Sequence, residues 1–157
     1  MDNEYAFRTA VGWIEITWTP QGLRTLSLFG EEPANPGPPH PAWVEGAAEK
    51  IARFLAGEPA DLDSIPLDLE GHSPFACRVL AALRATRPGE TLTYGHLAGL
   101  AGSPGASRAV GQVMARNPLP ILIPCHRVVA AQGPGGFTLF GSLDTKERLM
   151  ALERHPG

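Results

Sequence analysis

A small α/β unit followed by a mostly helical unit is the fold that this sequence predicts. Three observations carry it. Residues 5–29 alternate apolar and polar types in two runs, the period of half-buried strands. Residues 42–56 space their apolar side chains as one face of a helix. Beyond residue 72 the chain turns to short helical segments punctuated by Gly, Ser and Pro.

The two alternating runs are Trp13-Ile14-Glu15-Ile16-Thr17-Trp18 and Leu23-Arg24-Thr25-Leu26-Ser27-Leu28. Pro20-Gln21-Gly22 separates them, so an antiparallel hairpin is expected. Gly30 to Pro41 holds five prolines and reads as an irregular surface loop. The helix of residues 42–56 places Trp43, Ala47, Ile51, Phe54 and Leu55 on its apolar face and stops at Gly57. Asp61 to Leu69 is read as a returning strand. Ser73-Pro74 is an N-cap followed by proline at the first helical position, opening a helix over about Phe75 to Ala85. Arg87-Pro88-Gly89-Glu90 is a turn, and Thr93 caps a helix from Tyr94 to Ala101. Gly102-Ser103-Pro104-Gly105 breaks that helix, and another runs from Ala106 to Arg116. Two short helices about such a turn form a helix-turn-helix pattern, a weak signal on spacing alone. Ser107-Arg108-Ala109-Val110-Gly111-Gln112-Val113 strengthens it, because small residues beside one long cation allow close approach to a duplex.

The boundary expected near residue 71 is also a charge boundary. Residues 1–71 hold 4 Lys and Arg against 12 Asp and Glu, a balance of −8. Residues 72–157 hold 9 against 4, a balance of +5, and eight of those nine are arginine. A basic half points to a polyanion partner. No stretch approaches the ~20 apolar residues of a membrane span, and the N-terminus lacks the form of a signal peptide, so a cytoplasmic protein is expected. Cys77 and Cys125 are too few for a disulfide framework, and the five histidines have no metal-ligand spacing. Neither a metal nor a cofactor is expected. Cys77 reads as a buried helix residue.

The chemistry concentrates in Asn117-Pro118-Leu119-Pro120-Ile121-Leu122-Ile123-Pro124-Cys125-His126-Arg127-Val128-Val129. Its apolar run suits a buried strand, which the prolines confine to an edge or an irregular turn. Neighbouring side chains of an extended chain point to opposite faces. Either the backbone turns sharply at Cys125, or a water links imidazole to sulfur.

These pieces together resemble the methylated-DNA–protein-cysteine methyltransferase family, the O6-alkylguanine-DNA alkyltransferases. The matching segments are Thr93-Tyr94-Gly95-His96-Leu97-Ala98, Ser107-Arg108-Ala109-Val110-Gly111, Asn117-Pro118, Pro124-Cys125-His126-Arg127-Val128-Val129 and Lys146 through Glu153, in the family's order over residues 73–153. The resemblance implies a ribonuclease H-like α/β domain over 1–71, with a small antiparallel sheet and helix. It implies a mostly α winged helix-turn-helix domain over 72–157. It further implies a monomer that binds double-stranded DNA containing O6-alkylguanine through the minor groove and transfers the alkyl group to itself, once.

By the same resemblance Cys125 is the acceptor, His126 the base acting through a bridging water, and Glu153 the group orienting the imidazole. Tyr94 supplies a donor to the departing guanine, with help from backbone amides of the 133–142 loop, and crowds the target's phosphate. Arg108 is the finger that fills the space of the rotated nucleotide, with Ala109, Gly111 and Gln112 against the groove and Ser103 on the backbone. Asn117 ties the recognition helix to the active-site strand. Pro120, Val128, Phe140, Gly141 and Ser142 line the pocket. In the loop at residues 136–143, Gly-Phe-Thr-Leu-Phe-Gly-Ser-Leu, Phe140 and Ser142 depart from the family's pattern. Two rival functions are a non-enzymatic sensor of alkylated guanine, which lacks the acceptor cysteine, and a cysteine hydrolase, which draws nucleophile and base from separated segments.

Overall fold

The computed structural model describes residues 3–29, 32, 39–129 and 149–153. The chain divides into two compact units between Asp68 and Leu69.

The first unit is an antiparallel sheet of β1 (Glu4–Thr9), β2 (Gly12–Thr19) and β3 (Gly22–Phe29), in that order, followed by α1 (Ala42–Leu55). The sequence reading gave β2 and β3; β1 is additional. It offers one buried side chain, Phe7, to the core face formed by Ile14, Ile16 and Trp18, so its alternation is faint. The Thr9 hydroxyl accepts from the Val11 amide (3.2 Å) and donates to the Gly12 carbonyl (2.7 Å), closing the tight turn into β2. A β-bulge at Thr17/Trp18 leaves Arg24 as an extra residue on β3. Leu23 and Leu26, three apart, therefore both face the core, at 0% and 3% exposure.

The strand expected at Asp61–Leu69 is not formed. One bridge joins Leu23 to Leu67, made by Leu23 N to Pro66 O (2.9 Å) and Asp68 N to Leu23 O (2.8 Å). Pro66 has no amide to extend the ladder. Helix α1 buries Val44, Ala47, Ala48, Ile51 and Leu55, whereas Trp43 and Phe54 are half-buried. Its inner face is thus rotated from the expected stripe, and two alanines let it pack closely.

The second unit packs α2 (Pro74–Arg84), α3 (Tyr94–Leu100) and α4 (Ser107–Ala115) through Val79, Leu80, Leu83, Leu97, Ala98, Val110 and Met114. Ser73 Oγ caps α2 by accepting from Ala76 N at 3.1 Å, and Thr93 Oγ1 caps α3 by accepting from His96 N at 3.1 Å. Each such cap contributes about 1 kcal/mol. The two-residue strands β4 (Leu92–Thr93) and β5 (Val128–Val129) pair in parallel, and residues 149–153 are helical. Cys77 is half-buried rather than buried, with its sulfur facing the carbonyls of His72 (3.8 Å) and Leu69 (4.0 Å). The loop at Gly30–Pro41 lies largely outside the described residues.

Gly22 is where the first unit is least forgiving. A Cβ there would stand 2.6 Å from the Pro66 carbonyl carbon and oxygen, and its φ of +155° already disfavours a side chain. Gly22→Ala is expected to destabilise the protein by about 2–4 kcal/mol, read as a lower urea midpoint at unchanged slope.

Candidate active site

The apolar run before Cys125 forms a buried irregular turn instead of a strand, because its prolines deny it ladder donors. Asn117 organises that turn. Its Nδ2 donates to Ile123 O (2.9 Å) and its Oδ1 accepts from Leu119 N (3.0 Å), while Ile123 N donates to Leu119 O (2.8 Å). So confined, Ile121 holds φ at +77°, a left-handed conformation that opposes a β-branched residue by about 1–3 kcal/mol.

Pro124, at φ −77° and ψ 68°, is the centre of an inverse γ-turn closed by Cys125 N to Ile123 O at 2.7 Å. A single 3-10 turn, Cys125–Arg127, follows at once. This is the sharp bend that adjacent Cys and His demand. At three residues per turn, successive side chains diverge by about 120°.

Cys125 and His126 are 1% and 2% exposed. His126 Nε2 lies 3.1 Å from Glu153 Oε1. The Glu153 carboxylate also receives Arg127 Nε, at 2.8 Å on Oε1 and 3.0 Å on Oε2, Arg127 Nη2 on Oε2, and the Gly89 amide at 3.4 Å. Burial pushes the Glu153 carboxyl up, but hydrogen bonds from His126 and Arg127 and their charges outweigh it, bringing it down to about 2. Tyr94, half-buried at the start of α3, has its phenol raised above its ordinary 10.0 by burial and then by the charge of Cys125. Cys125 adjoins His126 in the turn, His126 meets Glu153, and the charge of Cys125 acts on Tyr94, so these four residues are grouped together. A thiol sharing a site with a carboxylate-backed imidazole is the arrangement that generates thiolate.

The remaining sequence candidates lie elsewhere in the unit. Arg108 and Gln112 are exposed on α4, and Ala109, Gly111 and Ser103 are half-buried. A Cβ on Gly111 would meet nothing within 4 Å, so packing within the protein does not require glycine there. A groove of about 360 Å3 borders this face, lined by Ala109 and Gln112 of α4, by Arg116 just after it, and by Phe75 and Ala76 of α2. Pro120 and Val128 are buried. Phe140, Gly141, Ser142, Lys146 and the 133–142 loop lie outside the described residues. Arg127 was missed as a site residue; a cation inside an apolar run was its signal. Thr86, which accepts from Arg127 Nη1 through both its carbonyl and its hydroxyl oxygen at 2.8 Å, gave none. Among the described residues, no group of three His, Cys, Asp or Glu side chains is placed to hold a metal ion.

Residues 74–155 match the family described as 6-O-methylguanine DNA methyltransferase, DNA binding domain. A methylated-DNA–protein-cysteine methyltransferase of Mycolicibacterium paratuberculosis is 45% identical over 152 residues, covering 87% of this chain and 88% of that protein. The chain belongs to this family. The human methylated-DNA–protein-cysteine methyltransferase is 36% identical over 160 residues, covering 92% of this chain and 77% of that protein. The crystal structure of the Mycobacterium tuberculosis O6-methylguanine methyltransferase superposes with a TM-score of 0.81 at 31% identity, over 100% of this chain and 95% of that one. The M. tuberculosis protein solved in complex with DNA gives 0.79 at 31% identity, over 96% and 92%.

Two outcomes follow from the geometry. A carboxyl held at about 2 against its ordinary 4.5 stabilises the fold fully above pH 4.5, and that contribution is lost as the pH falls toward 2. The difference corresponds to about 3 kcal/mol, and acid unfolding of Glu153→Gln should lack this component. Asn117→Ala strands the buried Leu119 amide and leaves the Ile123 carbonyl with the Cys125 amide alone, so a loss of about 2 kcal/mol is expected in denaturant titration.

Proposed function

We infer that this protein repairs DNA by direct reversal, taking the alkyl group of O6-alkylguanine onto Cys125 in a single turnover. It is a transferase that acts stoichiometrically, and DNA is its partner. The observation that carries the reading is Cys125 seated in a Pro-Cys-His-Arg turn whose His126 is backed by the Glu153 carboxylate. The acceptor thiol favours a transferase over an alkyl-guanine sensor. Adjacency of the proposed nucleophile and base, and the exposed Arg108 and Gln112 on α4, disfavour a hydrolase.

In the proposed sequence, His126 takes the Cys125 proton through a bridging water, and Glu153 stabilises the imidazolium. The thiolate attacks the alkyl carbon; the S–C bond forms as the C–O6 bond breaks, and the electron pair goes to guanine. Tyr94 donates a hydrogen bond to the departing base, supported by a phenol that burial and the charge of Cys125 keep protonated. A thioether has no ready route of hydrolysis, so the protein is consumed.

The target must leave the base stack before attack. We assign Arg108 as the finger in the vacated space, with Ala109, Gly111 and Gln112 on the minor groove, where little sequence can be read. The exposure of Arg108 and Gln112 and the open space at Gly111 support this. Ser103 is assigned to the backbone, Asn117 to the hinge, and Pro120, Val128, Phe140, Gly141 and Ser142 to the pocket. We read 72–157 as a winged helix-turn-helix domain, supported by α3 and α4 flanking residues 101–106, and 1–71 as ribonuclease H-like, supported by its three-stranded meander and helix. A monomer in the cytoplasm fits a thiol that must stay reduced to act.

Incubation with DNA containing O6-methylguanine, followed by intact-protein mass spectrometry, should show one methyl per protein and then nothing more. Sustained turnover would point to a hydrolase. Cys125→Ala should abolish the adduct with DNA binding nearly intact, and an adduct in that variant would mean another acceptor. Arg108→Ala should slow repair of duplex DNA tens-fold or more, since unstacking requires a few kcal/mol, yet spare transfer from the free base. Equal losses on both substrates would assign Arg108 to the fold instead.

A further inference from the structure

The reaction as derived leaves Arg127 without a part, although its guanidinium is engaged on every side. Nε and Nη2 donate to Glu153, and Nη1 donates twice to Thr86, 41 residues away in sequence. The side chain is 7% exposed. The same Oε1 that receives Nε at 2.8 Å stands 3.1 Å from His126 Nε2. One buried carboxylate thus serves a permanent cation and a group that must become a cation only during transfer.

We propose that Arg127 is a positioning residue that keeps His126 uncharged until Cys125 delivers its proton, by occupying the Glu153 carboxylate that would otherwise hold the imidazole as imidazolium. The proposal rests on the alkyl-transfer reading above. A buried carboxylate facing only an imidazole is strongly unfavourable unless the imidazole takes a proton from solvent and becomes its counter-ion. A histidine charged in that way cannot accept from a thiol. With Arg127 in place the carboxylate is already neutralised, and proton transfer from Cys125 to His126 leaves the net charge of the site unchanged. The planar fork anchored on Thr86 also fixes which oxygen faces His126, which a flexible ammonium would not do.

Among the described residues, the other charged and titratable groups on the packed elements leave this balance in place. Tyr94, half-buried at the start of α3, interacts with the charge of Cys125, and Arg84 is half-buried at the end of α2. In the turn after α2, exposed Glu90 accepts from the Arg87 amide at 2.9 Å and borders a cavity of about 210 Å3 that Arg127 and Glu153 also line. At the exposed rim its charge is screened by solvent.

The test is the pH dependence of single-turnover methyl transfer from duplex O6-methylguanine, between about pH 5.5 and 9. In Arg127→Gln the rising limb set by the base should move up by about one pH unit or more, a roughly tenfold loss near neutrality that closes at the alkaline end. Arg127→Lys should return the limb to its wild-type position at a lower plateau. An equal loss at every pH, with the limb unmoved, would overturn the proposal and leave Arg127 a structural role alone. Should Arg127→Gln not fold, nitrogen NMR titration of the imidazole in Cys125→Ser protein decides. His126 neutral at neutral pH supports the proposal; an imidazolium persisting to about pH 9 overturns it. The titration needs no activity, so a wild-type protein that transferred nothing would count against the transferase reading and leave this one decidable.

Discussion

The Glu153 carboxylate is the point on which the reactive half of this protein turns. It is 6% exposed, yet it remains ionised because the 3-10 turn aims both His126 and Arg127 at it. Through Arg127 it reaches Thr86 at the end of α2, and through its own amide contact it reaches Gly89 in the following turn. The helix of residues 149–153, the α2 terminus and the cysteine turn are thus held by one ionic group. Remove it, and the imidazole loses its carboxylate neighbour while the guanidinium, left with Thr86, becomes a buried cation without a counter-ion. In many proteins a hydrophobic replacement of similar volume packs as well; in the proposed mechanism the imidazolium formed during transfer needs the charge.

Much of the second unit could be read from the sequence because its helices announce themselves locally. Ser73-Pro74 and Thr93 are caps whose side chains bond within three residues, so no distant information is needed to place α2 and α3. The Pro-Cys-His-Arg motif likewise carries its own bend, since Pro124 sets the γ-turn that opens the 3-10 turn. Where the outcome depended on distant partners, the sequence was silent. Arg127 and Thr86 meet across 41 positions, and nothing local distinguishes Thr86 from any helix-terminal threonine.

The first unit shows the opposite weakness. Period-two alternation found β2, but the bulge at Thr17/Trp18 changed which β3 residues face inward, and a bulge leaves no mark in composition. Residues 61–69 read as a returning strand, with Leu62, Ile65, Leu67 and Leu69 as its apolar positions. Pro66 limits that segment to a single bridge, and it is held instead by Asp68, which accepts from Thr19 Oγ1 at 2.6 Å. The run at 119–123 failed as a strand for a related reason. Its backbone bonds go to the Asn117 side chain and within the loop, so no partner strand is needed.

The depth at which Cys125 lies bears on how a single-use reagent survives until it is needed. A protein spent by one reaction loses a molecule to every stray electrophile or oxidant that finds its sulfur. At 1% exposure, peroxide and free alkylating agents in solution have almost no line of approach to the thiol. A damaged base reaches it only if the site opens as the base binds. Concealment therefore acts as a form of selectivity. The same sulfur that is reactive toward its intended donor is shelved, chemically quiet, for as long as that donor is absent.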